Sequence, residues 1–544
     1  MLKPICISGS LFVLITMILV LSPEAQLRPA APHAQPGPLF QTSDNCMACH
    51  NGLSTPSGED ISIGFDWRPS MMANSARDPY WQAGVRRETL DHPQARAAIE
   101  HECSICHMPM ATYQAKVEGG EGEVFAHLPF NSSKPASRLA ADGVSCTTCH
   151  QIENEKLGTR ESFVGGFVVD ASRSKGERPV YGPFKIDAGR TRIMRSATGF
   201  RPTEAPHLQQ SEICATCHTL YTKALGPDGQ ILGELPEQMP YQEWLHSAYR
   251  EERSCQACHM PLVEGKVPIT GVLGEPRENV RRHVFVGANF FMQRMLNRYR
   301  NELSVAALPQ ELEAAALRTV AHLQTESARV SIGRLELRQG RLEAEISIQN
   351  LGGHKLPTAY PSRRVWLHVV VRERSGRVLF ESGKLDPRGL IEGNDNDADP
   401  ARYEPHYTEI TSSDQVQVYE AIMTGQNGAL TTGLLTAVRF VKDNRLLPRG
   451  FEKTTAHEDI AVRGGAFNDG DFVASGDKIR YSVDVSSGEG PFQMEAELWY
   501  QPVSFRWAAN LRQYNAVETS RFTAYYDSMA PASGVILASA AATN

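Results

Sequence analysis

The spacing of apolar residues changes character near residue 330. From there to the C-terminus apolar and polar positions alternate with a period of two. RLELRQGRLEAEISIQN reads as a hairpin turning at Gln339-Gly340, and RVWLHVVVRERSGRVLFE as one turning near Ser375-Gly376. Further strands are predicted over 415–422, 437–441, 478–485 and 493–500. Short strands separated by Gly and Asn/Asp turns predict an all-β, sandwich-like domain over 330–544. Upstream, residues 310–326 carry Leu312, Ala316, Val320 and Leu323 at helical spacing. They predict a helical connector within 301–329, with His322 on its solvated face.

Residues 46–300 hold neither period for long, so a mostly α or irregular domain is expected there. Before it, Lys3 precedes the apolar run LFVLITMILVL at 11–21, broken by SPEAQ. Eleven residues are short for a membrane span, which predicts an export signal over 1–25 cleaved near Ala25. The alternative is an uncleaved anchor over 5–21, the one route to membrane contact. PAAPHAQPGP then marks a proline-rich linker over 26–45, with His33 inside it. No later stretch reads as transmembrane. The chain has 544 residues, 41% hydrophobic and 22% charged, which fits several folded domains. Its net charge of −7 shows no basic face, so nucleic acid is not an expected partner.

Cysteine usage settles the class of chemistry. Of eleven cysteines, one is Cys6 in the export segment. The other ten form five C-x-x-C pairs, each followed at once by histidine: Cys46/Cys49/His50, Cys103/Cys106/His107, Cys146/Cys149/His150, Cys214/Cys217/His218 and Cys255/Cys258/His259. This is the c-type haem attachment pattern, in which two thiols add to one haem and the adjacent histidine becomes the proximal iron ligand. Disulfides would not need a histidine after every pair, and zinc sites combine two pairs, which leaves an odd fifth. Five covalently attached haem c groups are therefore expected within residues 46–259. So many macrocycles in so short a stretch must themselves form the core, close enough together to pass electrons.

Five irons leave five sixth positions open. Histidine there gives low-potential electron transfer, methionine raises the potential, and a vacancy permits catalysis. The candidate distal ligands are His127, His207, His246, His283 and His354, with Met72 in reserve. His92 and His101 flank the second motif and are weaker choices. Met108, Met110 and Met260 stand too close to their own proximal histidines to reach across. His354 sits in LGGHKLPTAYP, where two glycines allow close backbone approach and Pro357 stiffens the presentation. Trp67-x-x-Ser70 and Trp244-x-x-Ser247 share a frame that suggests an internal repeat. GNDNDADP at 393–400 has calcium-like oxygen density but carries Pro400 where an EF-hand loop needs glycine, so a solvated loop is expected; FNDGDF at 467–472 reads as a turn. No Ser-His-Asp arrangement, phosphate-binding glycine loop or paired-carboxylate signature appears, and no catalytic residue is assigned.

The surroundings CSICHMP, DGVSCTTCH, SEICATCH and SCQACHMP resemble those of the cytochrome c-552/c-554-type multihaem cytochromes, over roughly 46–261. That group often takes a distal histidine from W-x-x-S-x-H-A; here Met72 and Tyr249 stand in its place. GHKLPTAYPSRRVWLHV resembles a G-H-x-L/F-P-T-G segment of exported multihaem cytochromes whose histidine reaches a haem, with Ala359 replacing the last glycine. The resemblance implies periplasmic or extracellular electron transfer between redox partner proteins, in some members coupled to respiratory nitrogen, sulfur or metal chemistry. The expectation is thus an exported pentahaem electron carrier. Its rival is a multihaem oxidoreductase acting on a small nitrogen or sulfur compound at one five-coordinate haem. The CxxCK motif of cytochrome c nitrite reductases does not occur here. A third expectation gives the β domain a docking or assembly role.

Overall fold

The computed structural model describes residues 26–28 and 38–544; the export segment with Cys6, its cleavage point and His33 lie outside the described residues. Among the described residues, no helix is long and apolar enough to cross a membrane.

Two five-stranded sheets organise the second half. In one, strands Val378–Ser382, Arg364–Arg372, Gln493–Gln501 and Val535–Thr543 lie side by side, and Val418–Tyr419 also pairs with Arg364–Arg372. In the other the order is Glu409–Ile410, Gly476–Asp484, Arg341–Asn350 and Ala328–Ile332, with Glu336–Arg338 also paired to Arg341–Asn350. Alternation does the sorting. Along Arg341–Asn350, Leu342, Ala344, Ile346 and Ile348 point inward while the residues between them stay more exposed. Those side chains share one apolar core with Val365, Leu367, Val369 and Val371 of the other sheet. The hairpin turn at Gln339-Gly340 has φ of 49° and 79°, both left-handed, as a two-residue type I′ turn requires.

The acidic segment at 393–400 is built into this half rather than solvated. It contains the short helix Asp395–Ala398, and Asp397 turns inward to pair with the buried Arg364 at 2.8 Å while accepting from Ile391 N at 2.8 Å. In 467–472, Asp469 likewise faces inward, 2.9 Å from His406 Nε2.

The first half is helical and irregular, with separate apolar clusters. Its longest helices are Pro79–Asp91, Arg96–His107 and Ala188–Thr198. Pro79–Asp91 starts where Asp78 accepts from Tyr80 N and Trp81 N, with proline in the first turn. The proline-rich stretch is partly engaged: Gln26–Arg28 runs parallel to Val168–Asp170, and the buried Leu39 donates its N–H to Gln114 Oε1 at 2.7 Å. Helix Phe290–Arg298 sends Phe290, Phe291, Met292, Met295 and Leu296 into the core of the sheets. Helix Pro309–Glu326 follows it, burying Leu312, Ala316 and Leu323. Polar contacts also cross the seam. Glu88 accepts from Leu434 N at 2.8 Å, and Arg86 pairs with Glu518 at 2.8 Å.

Candidate haem-attachment site

Each C-x-x-C-H begins in a helical segment, four of them short, and the N–H groups of His50, His150 and His218 donate to the carbonyl of the first cysteine at 3.0, 3.1 and 3.0 Å. One helical turn therefore sets two thiols and an imidazole on neighbouring positions. All fifteen motif side chains line a single connected cavity of about 1440 Å³. That exceeds the range of one small-molecule site, roughly 300–1,000 Å³.

The motifs are not arranged in chain order. The thiols of Cys46 and Cys146 lie within interaction range of one another, as do those of Cys106 and Cys217 and those of Cys214 and Cys255. Cys149 in turn feels Cys217, and the His218 ring feels His259. The first motif thus neighbours the third, the third neighbours the fourth, and the fourth lies between the second and the fifth.

The imidazoles carry a consistent signature. Nδ1 of His50, His107, His150 and His259 lies 2.6, 3.0, 2.5 and 2.5 Å from the carbonyl oxygens of Ile269, Ser75, Tyr181 and Val286. A carbonyl can only accept, so each ring carries its proton on Nδ1 and leaves the Nε2 lone pair free. That is the arrangement expected of a metal-ligating histidine, whose second nitrogen is tied to an outer acceptor. Burial also pushes His107 and His218 down to about 4, favouring the neutral ring, and lowers His50 and His150.

Two sequence-derived distal candidates face motif histidines. The His283 ring centroid lies 6.3 Å from that of His150 with planes 19° apart, and that of His354 lies 6.3 Å from His259 with planes 14° apart. A first-row metal–imidazole bond is about 2.0 Å and the centroid lies about 1.1 Å behind the nitrogen, so two rings on opposite faces of one iron sit about 6.2 Å apart. The separations fit that span. Both rings also place Nδ1 near a carbonyl, Arg281 O at 3.2 Å for His283 and Lys355 O at 3.0 Å for His354.

The other candidates sit differently. His207 is buried and uses Nε2 to reach Ile152 O at 2.8 Å, while His246 Nε2 lies 3.3 Å from Glu452 O with its ring against Phe451. His127 ends the turn Phe125–His127. None of these three lines the cavity; Met72, half-buried, does. His92 contacts Thr436, and His101 Nδ1 accepts from Gly122 N. His322, expected to be solvated, is half-buried instead. It lines the cavity with its ring 6.5 Å from that of His259, planes 54° apart. It lies one helical turn after Arg318, which also lines the cavity, on a face that the apolar repeat of the helix does not mark.

The repeated tryptophan frame has a structural counterpart. Trp67 Nε1 donates to Val144 O at 3.1 Å and Trp244 Nε1 to Arg253 O at 2.9 Å. Each acceptor lies two residues ahead of a C-x-x-C-H. Within the second half, His406, Asp469 and Asp477 place ligand-type atoms within 4.8 Å of one another. There, however, Nδ1 accepts from the amides of Gln417 and Asn444, whose own oxygens accept from Tyr407 N and Glu420 N. The proton therefore sits on Nε2, facing Asp469, and the ring is a donor rather than a ligand.

Among known structures, the chain is similar to a penta-haem cytochrome c552 from Thermochromatium tepidum, with 16% identity, a TM-score of 0.53, and coverage of 93% of this chain and 100% of that one. The two share a fold. No family model and no curated relative matches the chain. At that identity the likeness concerns the path of the backbone, while the residues that would hold haem are those of the five motifs.

Proposed function

We propose that this protein is an exported pentahaem c-type cytochrome that carries electrons between redox partner proteins. The observation that carries the reading is the convergence of five C-x-x-C-H segments on one cavity, with four of the five imidazoles tied through Nδ1 to backbone carbonyls. The ten cysteines would hold the rings covalently and the five motif histidines would ligate the irons, with His283 and His354 as partners for His150 and His259. Bound haem supplies reversible one-electron chemistry. The chain's own part is to fix tautomers, exclude water and set the motifs side by side, with the fourth between the second and the fifth. On this reading residues 46–300 form the haem domain, and residues 330–544 form a sandwich that covers it and contributes His354.

A haem count against protein mass tests the proposal, and five per chain is expected. Stepwise redox titration should then show reversible reduction without added substrate. A count well below five, or bound zinc in place of haem, overturns it.

A second reading, an oxidoreductase, is favoured by the lining near the second motif. The His107 ring is stacked on Trp81, with centroids 4.3 Å apart and planes 6° apart, and none of the candidate distal histidines pairs with it as His283 and His354 pair with His150 and His259. Glu88 and Glu237 act on the Cys103 thiol from the same cavity, and burial pushes Glu237 up to about 7, where it can donate a proton near neutral pH. Carbon monoxide binding by the reduced protein supports this reading; inertness to carbon monoxide removes it.

A further inference from the structure

One set of buried charges at the seam between the two halves belongs to none of the groups above. Glu243, on the short helix Pro240–Leu245 ahead of the fifth motif, is fully buried. Its Oε2 accepts from Lys355 N at 3.1 Å and from Thr358 Oγ1 at 2.6 Å. Its Oε1 lies 3.0 Å from Arg445 Nη1, as an ion pair outside hydrogen-bond alignment. Arg445 grips Asp443 through Nε at 2.9 Å and Nη2 at 2.7 Å, and Lys355 Nζ reaches Asp443 Oδ2 at 2.8 Å. Two acids and two bases, none more than 9% exposed, thus neutralise one another away from water. Removing any one leaves a buried charge uncompensated, which makes the set cooperative.

The same residues fix one imidazole. Lys355 is held at three points: its N–H by Glu243, its Nζ by Asp443, and its carbonyl by the Nδ1–H of His354 at 3.0 Å. The His354 carbonyl accepts from Asn350 Nδ2 at 2.9 Å, and Tyr249 OH donates to Leu351 O at 2.7 Å. Gly353 lies flat against the fifth-motif segment, where an added Cβ would come within 3.4 Å of Tyr249 Cβ. Every one of these contacts sets where the ring opposite His259 can stand.

We propose that Glu243 is a positioning residue: with Arg445, Asp443 and Lys355 it forms a buried ion latch through which the motif-bearing half fixes His354 opposite His259. The inference rests on the pentahaem reading and deepens it, because the latch makes the spin state of one iron depend on docking of the two halves. His322 stands near the same His259 on a different element, helix Pro309–Glu326, so it is the natural substitute when the latch fails.

The test uses the full chain with haems attached, in wild type and in a His322→Ala background that removes the substitute. Electron paramagnetic resonance and magnetic circular dichroism count low-spin and high-spin irons. In that background Glu243→Gln is expected to turn one iron of five high-spin and open it to carbon monoxide. Arg449→Gln, which removes the exposed pair with Glu252 at the same seam, should leave the count unchanged and controls for general loosening. Lys355→Met keeps the backbone carbonyl but loses the Asp443 contact. It should give the same high-spin signal in part of the population, and it serves if Glu243→Gln does not retain five haems. An unchanged spin count in both latch variants overturns the proposal. So does a high-spin iron in His322→Ala alone, because His322 would then be the ligand. Failure of the underlying reading shows separately, as a wild-type haem count below five or as an unchanged spectrum in His322→Ala/His354→Ala.

Discussion

The two halves of the molecule solve the problem of a core in opposite ways. Between the sheets, Leu342, Ile346, Val369, Leu498 and Ile479 close on one another with essentially no exposure. In residues 38–300 the apolar interior is split among separate clusters, and many of their residues, such as Trp81, Ile99, Ile213 and Tyr241, also line the cavity. One half carries its apolar interior in its own sequence. The other is built to surround something. On the pentahaem reading, the difference teaches that burial per residue would be a property of chain plus cofactor in the first half and of chain alone in the second.

The largest test of that contrast removes the thiols of the central motif. Cys214→Ser/Cys217→Ser should leave residues 38–300 open to limited proteolysis while the strands from Ala328–Ile332 onward stay protected. Equal protection of both halves would break the comparison, since separate apolar clusters would then suffice without haem. The converse change acts inside the sheets. Leu498→Ala, at a fully buried position, should cost about 2–5 kcal/mol in urea unfolding and leave the haem count unchanged. Loss of haem in that variant would mean that the two cores are not separable.

How far the sequence revealed this plan depends on what each signal needed. The hairpin at Gln339-Gly340 was legible because Gly340 favours left-handed backbone and the flanking alternation is strict. The motif cysteines were legible because their spacing is chemistry. Strand Val535–Thr543 was not: its LASAAAT run alternates small residues with one another, so there is little contrast to read. His322 escaped for a different reason. The period of its helix marks Leu312, Ala316 and Leu323 as the face buried against protein, but a second face lines the cavity, and no apolar repeat records that. The spatial order of the motifs was also hidden, because it depends on thiol pairs such as Cys46–Cys146, a hundred residues apart.

A subtler test concerns charge inside the second half. Burial pushes Asp477 up from 3.8 to about 7, while burial pushes the neighbouring His406 down to about 4. Between pH 3.8 and about 7 the unfolded chain releases the Asp477 proton that the folded chain keeps. That carboxyl's contribution is therefore complete at low pH and is lost as pH rises through about 7. His406 has the opposite sign: its folded state prefers the neutral ring, so its contribution is lost as pH falls from 6.5 through about 4. Over pH 4–6.5 the two slopes offset. Asp477→Asn removes one of them, so its stability relative to wild type should rise with pH by about 1.4 kcal/mol per unit at most. Urea unfolding at several pH values reads this directly, and a pH-independent difference would show that Asp477 ionises normally in the folded state.

The smallest expected effect lies where the two halves meet. Ala359 has φ of 65°, the left-handed region, in the segment whose counterpart in exported multihaem cytochromes carries glycine there. The sequence departure thus falls on a residue whose backbone glycine would adopt without strain. A side chain in that conformation costs about 1–2 kcal/mol, and glycine gives back part of the gain through greater freedom in the unfolded chain. Ala359→Gly should therefore stabilise the protein by roughly 0.5–1 kcal/mol. Because Thr358, next to it, donates to Glu243, the gain should appear without any change in spin state if the latch holds the loop already. A variant that is less stable than wild type would mean that Ala359 stiffens the seam by an amount exceeding its strain.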